Sequence, residues 1–197
     1  PCLLPDTRGH GLSGLPRPAG RGARNLSTDD VSMPRIARDL VAVLDDAGID
    51  RALIVGHSMG VQTALEAYRQ VPDRVAGLVL VAGTYENPAR TFYGISLGDH
   101  LFPLVSATMR WLPEAAGPIQ ATVGPASIGH FLARLARAAG PNATPEALAP
   151  YLLHIRGVDL AVMTLMAGAM REHSAADLLP QIEAPTLIVA AGADVFT

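Results

Sequence analysis

The chain contains no lysine: its fifteen basic residues are all arginine, set against eighteen acidic residues for a net charge of −3. So small a charge, with no basic stripe interleaved with aromatics, argues against a nucleic-acid partner. The all-arginine usage beside abundant Ala, Gly and Pro reads as coding bias more than as a binding surface. Cysteine is nearly absent. Cys2 stands alone, which excludes an internal disulfide and fits a reducing cytoplasm. No apolar run approaches the length of a membrane-spanning helix. No H-E-x-x-H or comparable ligand spacing suggests a metal, and no cofactor is expected. A secretory leader is not visible either, but the chain opens on Pro1 and not Met, so that absence carries little weight. What is present is 49% hydrophobic content over 197 residues, enough for one domain with a sizeable core.

The most informative stretch runs from Arg51 to Val71. Leu53, Ile54 and Val55 form a continuous apolar run, suited to a strand buried on both faces. Gly56-His57-Ser58-Met59-Gly60 follows, and then Val61, Ala64, Leu65, Tyr68 and Val71 recur at helical spacing until Pro72. A strand, G-x-S-x-G and a helix make a nucleophile elbow. A hydroxyl attacks well only when it stands clear of its neighbours, near a base and near donors for the developing oxyanion. The tight turn puts Ser58 at such an apex in a strained backbone conformation. Gly56 and Gly60 are expected to be glycine because β-carbons there would collide as strand and helix close. His57, beside the nucleophile, is expected to point away from the active face and to pack structurally.

The elements around the elbow alternate. Ser32 is expected to cap a helix with Pro34 in its first turn. Its buried stripe is Ile36, Leu40, Val43, Leu44 and Ala47, and Gly48 ends it. A second strand is expected over Val75 to Ala82 and a third buried strand over Thr186 to Ala190, leading to Gly192-Ala193-Asp194. Right-handed crossovers would set the first two side by side in one parallel sheet. The spacing predicts an α/β fold, a doubly wound and mostly parallel sheet.

Between Ala82 and Gln181 the alternation stops. Prolines at 88, 103, 113, 118, 125, 141, 145 and 150 are expected to cut this stretch into short helices. Three apolar faces stand out: Leu101, Leu104, Val105, Met109 and Leu112; Ile128, Phe131, Leu132 and Leu135; and Leu160, Met163, Thr164, Met166, Ala167 and Met170. Met163, Met166 and Met170 could line an adaptable pocket, although ordinary packing explains each stripe equally simply. Near the start, Gly9-His10-Gly11-Leu12-Ser13-Gly14 satisfies the dinucleotide fingerprint G-x-G-x-x-G. Pro16 and Pro18 forbid the helix that would aim amides at a pyrophosphate, so nucleotide binding is not expected. Arg17, Arg21 and Arg24 read as a solvated loop face.

Three motifs, Asp6-Thr7-Arg8-Gly9-His10-Gly11-Leu12-Ser13, Gly56-His57-Ser58-Met59-Gly60, and Pro185 through Gly192-Ala193-Asp194, carry a resemblance along the whole chain. The chain resembles the α/β-hydrolase superfamily, in its branch of lipases, esterases, C-C bond hydrolases and cofactor-free perhydrolases. The resemblance implies a hydrolase core at 1–86 and 181–197 with an inserted helical cap at 87–180. It implies a catalytic pair of Ser58 and Asp194, with the Met59 amide as one oxyanion donor and Glu86 as the fallback acid. The reaction implied is acyl transfer to water through an acyl-serine, on a small acyl or ester substrate and without cofactor. The alternatives are a perhydrolase or haloperoxidase using the same triad, or a non-catalytic binding protein on the same fold. A cytoplasmic monomer or homodimer is expected.

The family order is Ser, then Asp or Glu, then His, whereas all six histidines here, at 10, 57, 100, 130, 154 and 173, precede Asp194. His10 looks structural in its loop, His173 is the one conceivable substitute base, and 100, 130 and 154 lie in the presumed cap. By resemblance the base follows Asp194, and strands with a His-Gly loop, the second oxyanion donor, precede Asp6. The expectation is therefore a piece of an ordinary-sized hydrolase, with a pseudoenzyme as rival. Alone, it is expected to be close to inert: loss of a triad base costs on the order of 10⁶ in turnover, and loss of an oxyanion donor about 10² to 10³. An unpaired hydrophobic strand edge is also expected to make it express poorly.

Overall fold

The computed structural model describes residues 1–15, 26–90, 104, 107, 126–135, 139–192 and 194. The chain divides into two compact units, one of Pro1–Pro5, Ser27–Gly98 and Met166–Thr197, the other of Asp6–Leu26 and Asp99–Leu165.

The first α-helix of the first unit is α1, Met33–Asp46, which follows a 3-10 turn at Asp29–Val31. Ser32 occupies the N-cap position, but its side chain makes no capping hydrogen bond. The helix starts instead on Pro34, whose ring pre-sets φ, while the amides of Arg35 and Ile36 both donate to the Ser32 carbonyl at 3.0 Å. Met33, Ile36, Ala37 and Leu44 are buried. At the far end Gly48 takes a φ of 63°, and the Ile49 amide reaches back to the Leu44 carbonyl at 2.9 Å, closing the helix with a left-handed turn.

Strand β1 is Ala52–His57, helix α2 Met59–Gln70 and strand β2 Val75–Val81, one residue shorter than expected. Strand β3, Thr186–Val189, also stops a residue early. The three strands form one parallel sheet in the order β1-β2-β3, with Ile54 level with Leu78, His57 with Val81, and Val81 with Val189. Val61, Ala64, Leu65 and Tyr68 of α2 pack into a core with Ile54, Val75, Leu78 and Leu80 of the sheet. Burying an apolar side chain of this size contributes about 1.5–3 kcal/mol.

The expected double-sided burial of β1 and β3 does not hold. In β1 burial alternates, with Ile54 and Gly56 covered by α2 while Leu53 and Val55 remain 60% and 63% exposed. All four residues of β3 are exposed. The apolar run is continuous, but among the described residues the helical cover lies on one face and the sheet ends at these two strands.

In the second unit, helix α3 is Ala126–Leu135, helix α4 Pro145–Gly157, and helix α5, Leu160–Glu172, contributes its first turn and a half. No strand lies among the described residues between β2 and β3. Pro145 starts α4, and the Thr144 hydroxyl accepts from the Ala147 amide at 3.2 Å. Pro150 does not cut the chain as expected: α4 runs through it, at the cost of the hydrogen bond its missing N–H would have made. Of the face at Ile128, Phe131, Leu132 and Leu135, Phe131 and Leu135 are exposed, and the other two side chains lie outside the described residues. Of the face at 101–112, Leu104 is helical and exposed and the other four residues lie outside the described residues, as do Arg17, Arg21 and Arg24. Among the described residues no single helix is long and apolar enough to cross a membrane.

Candidate active site

Ser58 stands between the last residue of β1 and the first of α2, with φ 54° and ψ −117°, and it is exposed. A non-glycine residue held at positive φ is strained by its own β-carbon, and the surrounding structure must enforce it. Three features do so. The Ser58 amide donates to the Val81 carbonyl at 3.0 Å, and the Val61 amide donates to the Ser58 carbonyl at 3.0 Å. A β-carbon at Gly56 would strike the Gly60 carbonyl and stand 2.8 Å from the Val61 nitrogen, so strand and helix close only because residue 56 has none. Gly60 differs from expectation, because a β-carbon there would meet nothing within 4 Å among the described residues. Its backbone, not its missing side chain, is what Gly56 accommodates.

The turn after β2 lies against the same apex. Ala82 is the second non-glycine residue at positive φ, 41°, and its amide donates to the Val189 carbonyl at 2.9 Å. A side chain at Gly83 would collide with the Ser58 carbonyl oxygen and with Val61. Asp194 follows β3, its amide donating to the Ala191 carbonyl at 3.0 Å. Because β1, β2 and β3 are parallel and His57, Val81 and Val189 lie level, Ser58, Glu86 and Asp194 all follow the carboxyl ends of adjacent strands. In open α/β sheets that end is where ligands bind. The Met59 amide opens α2, among the helix N-terminal donors that point towards this end.

His173, the one conceivable substitute base, is half-buried, with Nε2 donating to the Glu66 carboxylate at 3.2 Å. His57 is exposed at the end of β1 and is not packed as expected. His10 lies in the glycine-rich loop, its Nδ1 3.3 Å from the Arg8 carbonyl and its ring stacked on His154 with centroids 5.6 Å apart. That loop is a self-contained turn: the Leu12 amide donates to Asp6 at 2.9 Å, and a β-carbon at Gly11 would strike the same carboxylate. No helix begins between Gly9 and Leu15, consistent with a turn and not a dinucleotide cradle. His130 Nε2 lies 2.7 Å from the Ala143 carbonyl, and His100 is outside the described residues. Of the three methionines at 163, 166 and 170, Met166 is buried and the others are half-buried.

Sequence reading missed a polar face on α2. Gln62 and Glu66 are both buried, one helical turn apart, among otherwise apolar core positions. Gln62 Nε2 donates to the Glu86 carbonyl at 2.8 Å and to the Met170 carbonyl at 3.2 Å. Glu66 accepts from Arg69 Nε at 3.0 Å and from Gln70 at 3.3 Å, and Arg69 forks onto Asp177 at 2.7 and 2.9 Å. The fork holds the Asp177 carboxyl down to about 2, and Asp177 and then Glu66 raise the Arg69 guanidinium further above its ordinary value. The signal was available: a Gln-x-x-x-Glu pair on the apolar side of an amphipathic helix is polar where the period demands burial.

Residues 1–140 match the sequence profile of the alpha/beta hydrolase fold family. The chain belongs to that family. The α/β-hydrolase relatives include the uncharacterized protein Rv2715 of Mycobacterium tuberculosis, 31% identical over 166 residues, 79% of this chain and 44% of that protein. They also include the putative carbamate hydrolase RutD of Caulobacter segnis, 37% identical over 67 residues, 34% of this chain and 25% of that protein. Among solved structures, Est816, described as an N-acyl homoserine lactone degrading enzyme, matches with a TM-score of 0.57 and 28% identity over 98% of this chain and 64% of its own. The chain thus aligns with less than half the length of these curated relatives. A hydrolase fold with parallel strands and an elbow between β1 and α2 agrees with this membership.

Proposed function

We propose that the chain carries the nucleophile and acid of a serine hydrolase acting on carboxylic esters or related acyl substrates. The observation that carries this reading is Ser58, exposed at φ 54° on the apex of a strand-to-helix turn whose tightness Gly56 alone permits. Ser58 attacks the acyl carbon, and a histidine, placed after Asp194 by the family order, takes the hydroxyl proton and later returns it to the leaving group. Asp194 orients that histidine and stabilises its cation. The Met59 amide at the start of α2 receives the developing oxyanion, helped by the positive end of the helix. Residues 87–180 correspond to the inserted cap segment that the family resemblance implies. The relatives named as a putative carbamate hydrolase and as an N-acyl homoserine lactone degrading enzyme are named for carbonyl substrates, which favours the same class of substrate here.

The test uses the protein expressed from its complete reading frame, with short aryl esters as substrates. Ser58→Ala should abolish turnover, and unchanged turnover in that variant would remove Ser58 from the mechanism. Bromide-dependent halogenation of a dye, absent without added carboxylic acid, would instead identify a perhydrolase using the same serine. Ligand binding with no turnover of any ester would identify a binding protein.

A further inference from the structure

Gln62 is fully buried, four residues beyond Ser58 on α2. Its carboxamide nitrogen has two hydrogens, and the structure uses both: one goes to the Glu86 carbonyl at 2.8 Å, the other to the Met170 carbonyl at 3.2 Å. Its oxygen Oε1 is buried with no hydrogen-bond partner among the described residues. The side chain thus leaves one buried acceptor unpaired, which works against stability, while it donates to two backbone carbonyls.

The two acceptors explain the choice. Met170 lies in the last turn of α5, where carbonyls have no helical partner of their own. Glu86 lies in the turn after β2, which Thr84 closes by donating to the Glu86 carbonyl at 2.6 Å and accepting from the Glu86 amide at 2.9 Å. Gly83, one residue before Thr84, has no room for a side chain because of the Ser58 carbonyl. The path is a closed ring: Ser58, one turn of α2, Gln62, Glu86, Thr84, Gly83, and back to Ser58. The Ser58 amide on Val81 fastens the ring to the sheet.

We infer that Gln62 is a positioning residue for the nucleophile: it locks the turn at 83–86 against the elbow and so holds Ser58 in its strained conformation. Only a side chain of this reach with two hydrogens on one atom serves both carbonyls. Asn is too short, Met donates nothing, and Glu would place a carboxylate against two carbonyl oxygens unless protonated. This inference rests on the reading of Ser58 as nucleophile.

The experiment measures the second-order rate of fluorophosphonate labelling at Ser58 by intact mass, with thermal melting alongside, in the protein from its complete reading frame. Wild type should label and Ser58→Ala should not. Gln62→Met should fold, melt somewhat below wild type because two carbonyls lose their donor, and label about 10- to 100-fold more slowly, the scale of a small misplacement of a reacting group. Gln62→Glu keeps one donor when protonated and none when ionised, so its rate relative to wild type should fall as pH rises. Wild-type labelling in a folded Gln62→Met protein overturns the inference while leaving Ser58 as nucleophile. Should Gln62→Met fail to fold, the Gln62→Glu ratio decides: a ratio flat in pH overturns the inference. Absence of labelling in wild type removes the nucleophile reading, and this inference with it.

Discussion

Gly56→Ala and Gly60→Ala, two one-carbon changes in the same motif, should have opposite effects. A methyl at residue 56 would overlap the Gly60 carbonyl and stand 2.5 Å from its carbon and 2.8 Å from the Val61 nitrogen, where ordinary contact begins at 3.4 Å. All three atoms are backbone, so nothing flexible can rotate away, and β1 and α2 must separate by about 1 Å to restore ordinary contact. Overpacking against a rigid neighbour costs about 1–3 kcal/mol. At residue 60, in the first turn of α2, the methyl meets nothing within 4 Å among the described residues and the backbone is helical. There the lost glycine freedom should stabilise by about 0.4–1 kcal/mol. The variants should then differ by roughly 1.4–4 kcal/mol, about 3–16 °C in Tm at about 2–4 °C per kcal/mol. Circular dichroism melts of both variants in the protein from the complete reading frame measure this directly. Ser58 labelling should slow in Gly56→Ala and persist in Gly60→Ala. Equal melting temperatures, or the lower one in Gly60→Ala, would refute the claim that this turn is tight because of residue 56.

Three further outcomes follow from the same geometry. The Asp177 carboxyl is held down to about 2 by the Arg69 fork, from an ordinary 3.8. The contribution of the pair is therefore complete above 3.8 and lost as pH falls from 3.8 towards 2, and Arg69→Met should flatten the wild-type loss of stability over that window in denaturant titrations. Leu65, 1% exposed in the middle of α2, should cost about 2–5 kcal/mol when changed to Ala, read as a lower urea midpoint at unchanged slope. The 197 residues expressed alone should aggregate through the exposed Leu53, Val55, Leu187 and Ile188 of the sheet, and a soluble monomer with one cooperative melt would contradict that.

Much of the fold is legible in the sequence because periodicity and punctuation agree. The elbow helix begins directly after Ser58 and stops two residues before Pro72, and β2 and β3 end within a residue of their expected bounds, while β1 runs one residue before and two beyond Leu53–Val55. The misreadings have physical causes. Apolar runs state what a strand can tolerate on its faces and not what covers them, so Leu53 and the whole of β3 are exposed although their residues are core-like. Proline in a helix is disfavoured but not forbidden, and Pro150 sits inside α4. The Ser32 cap was a matter of residue type, while the helix start depends on Pro34 and backbone bonds. Gln62 and Glu66 fall within the buried stripe of α2, where hydrophobic periodicity gives no sign of a polar residue. The pairing of His173 with Glu66 joins residues 107 positions apart, a separation no local pattern reveals.

The claim on which the account depends most is that Ser58 is a nucleophile. Incubation of the protein from its complete reading frame with a fluorophosphonate probe, followed by digestion and mass spectrometry, tests it in one step. The account predicts a single adduct on Ser58, in the peptide that spans the elbow, and none in Ser58→Ala. An unlabelled Ser58 in a folded protein that still turns over esters would contradict it.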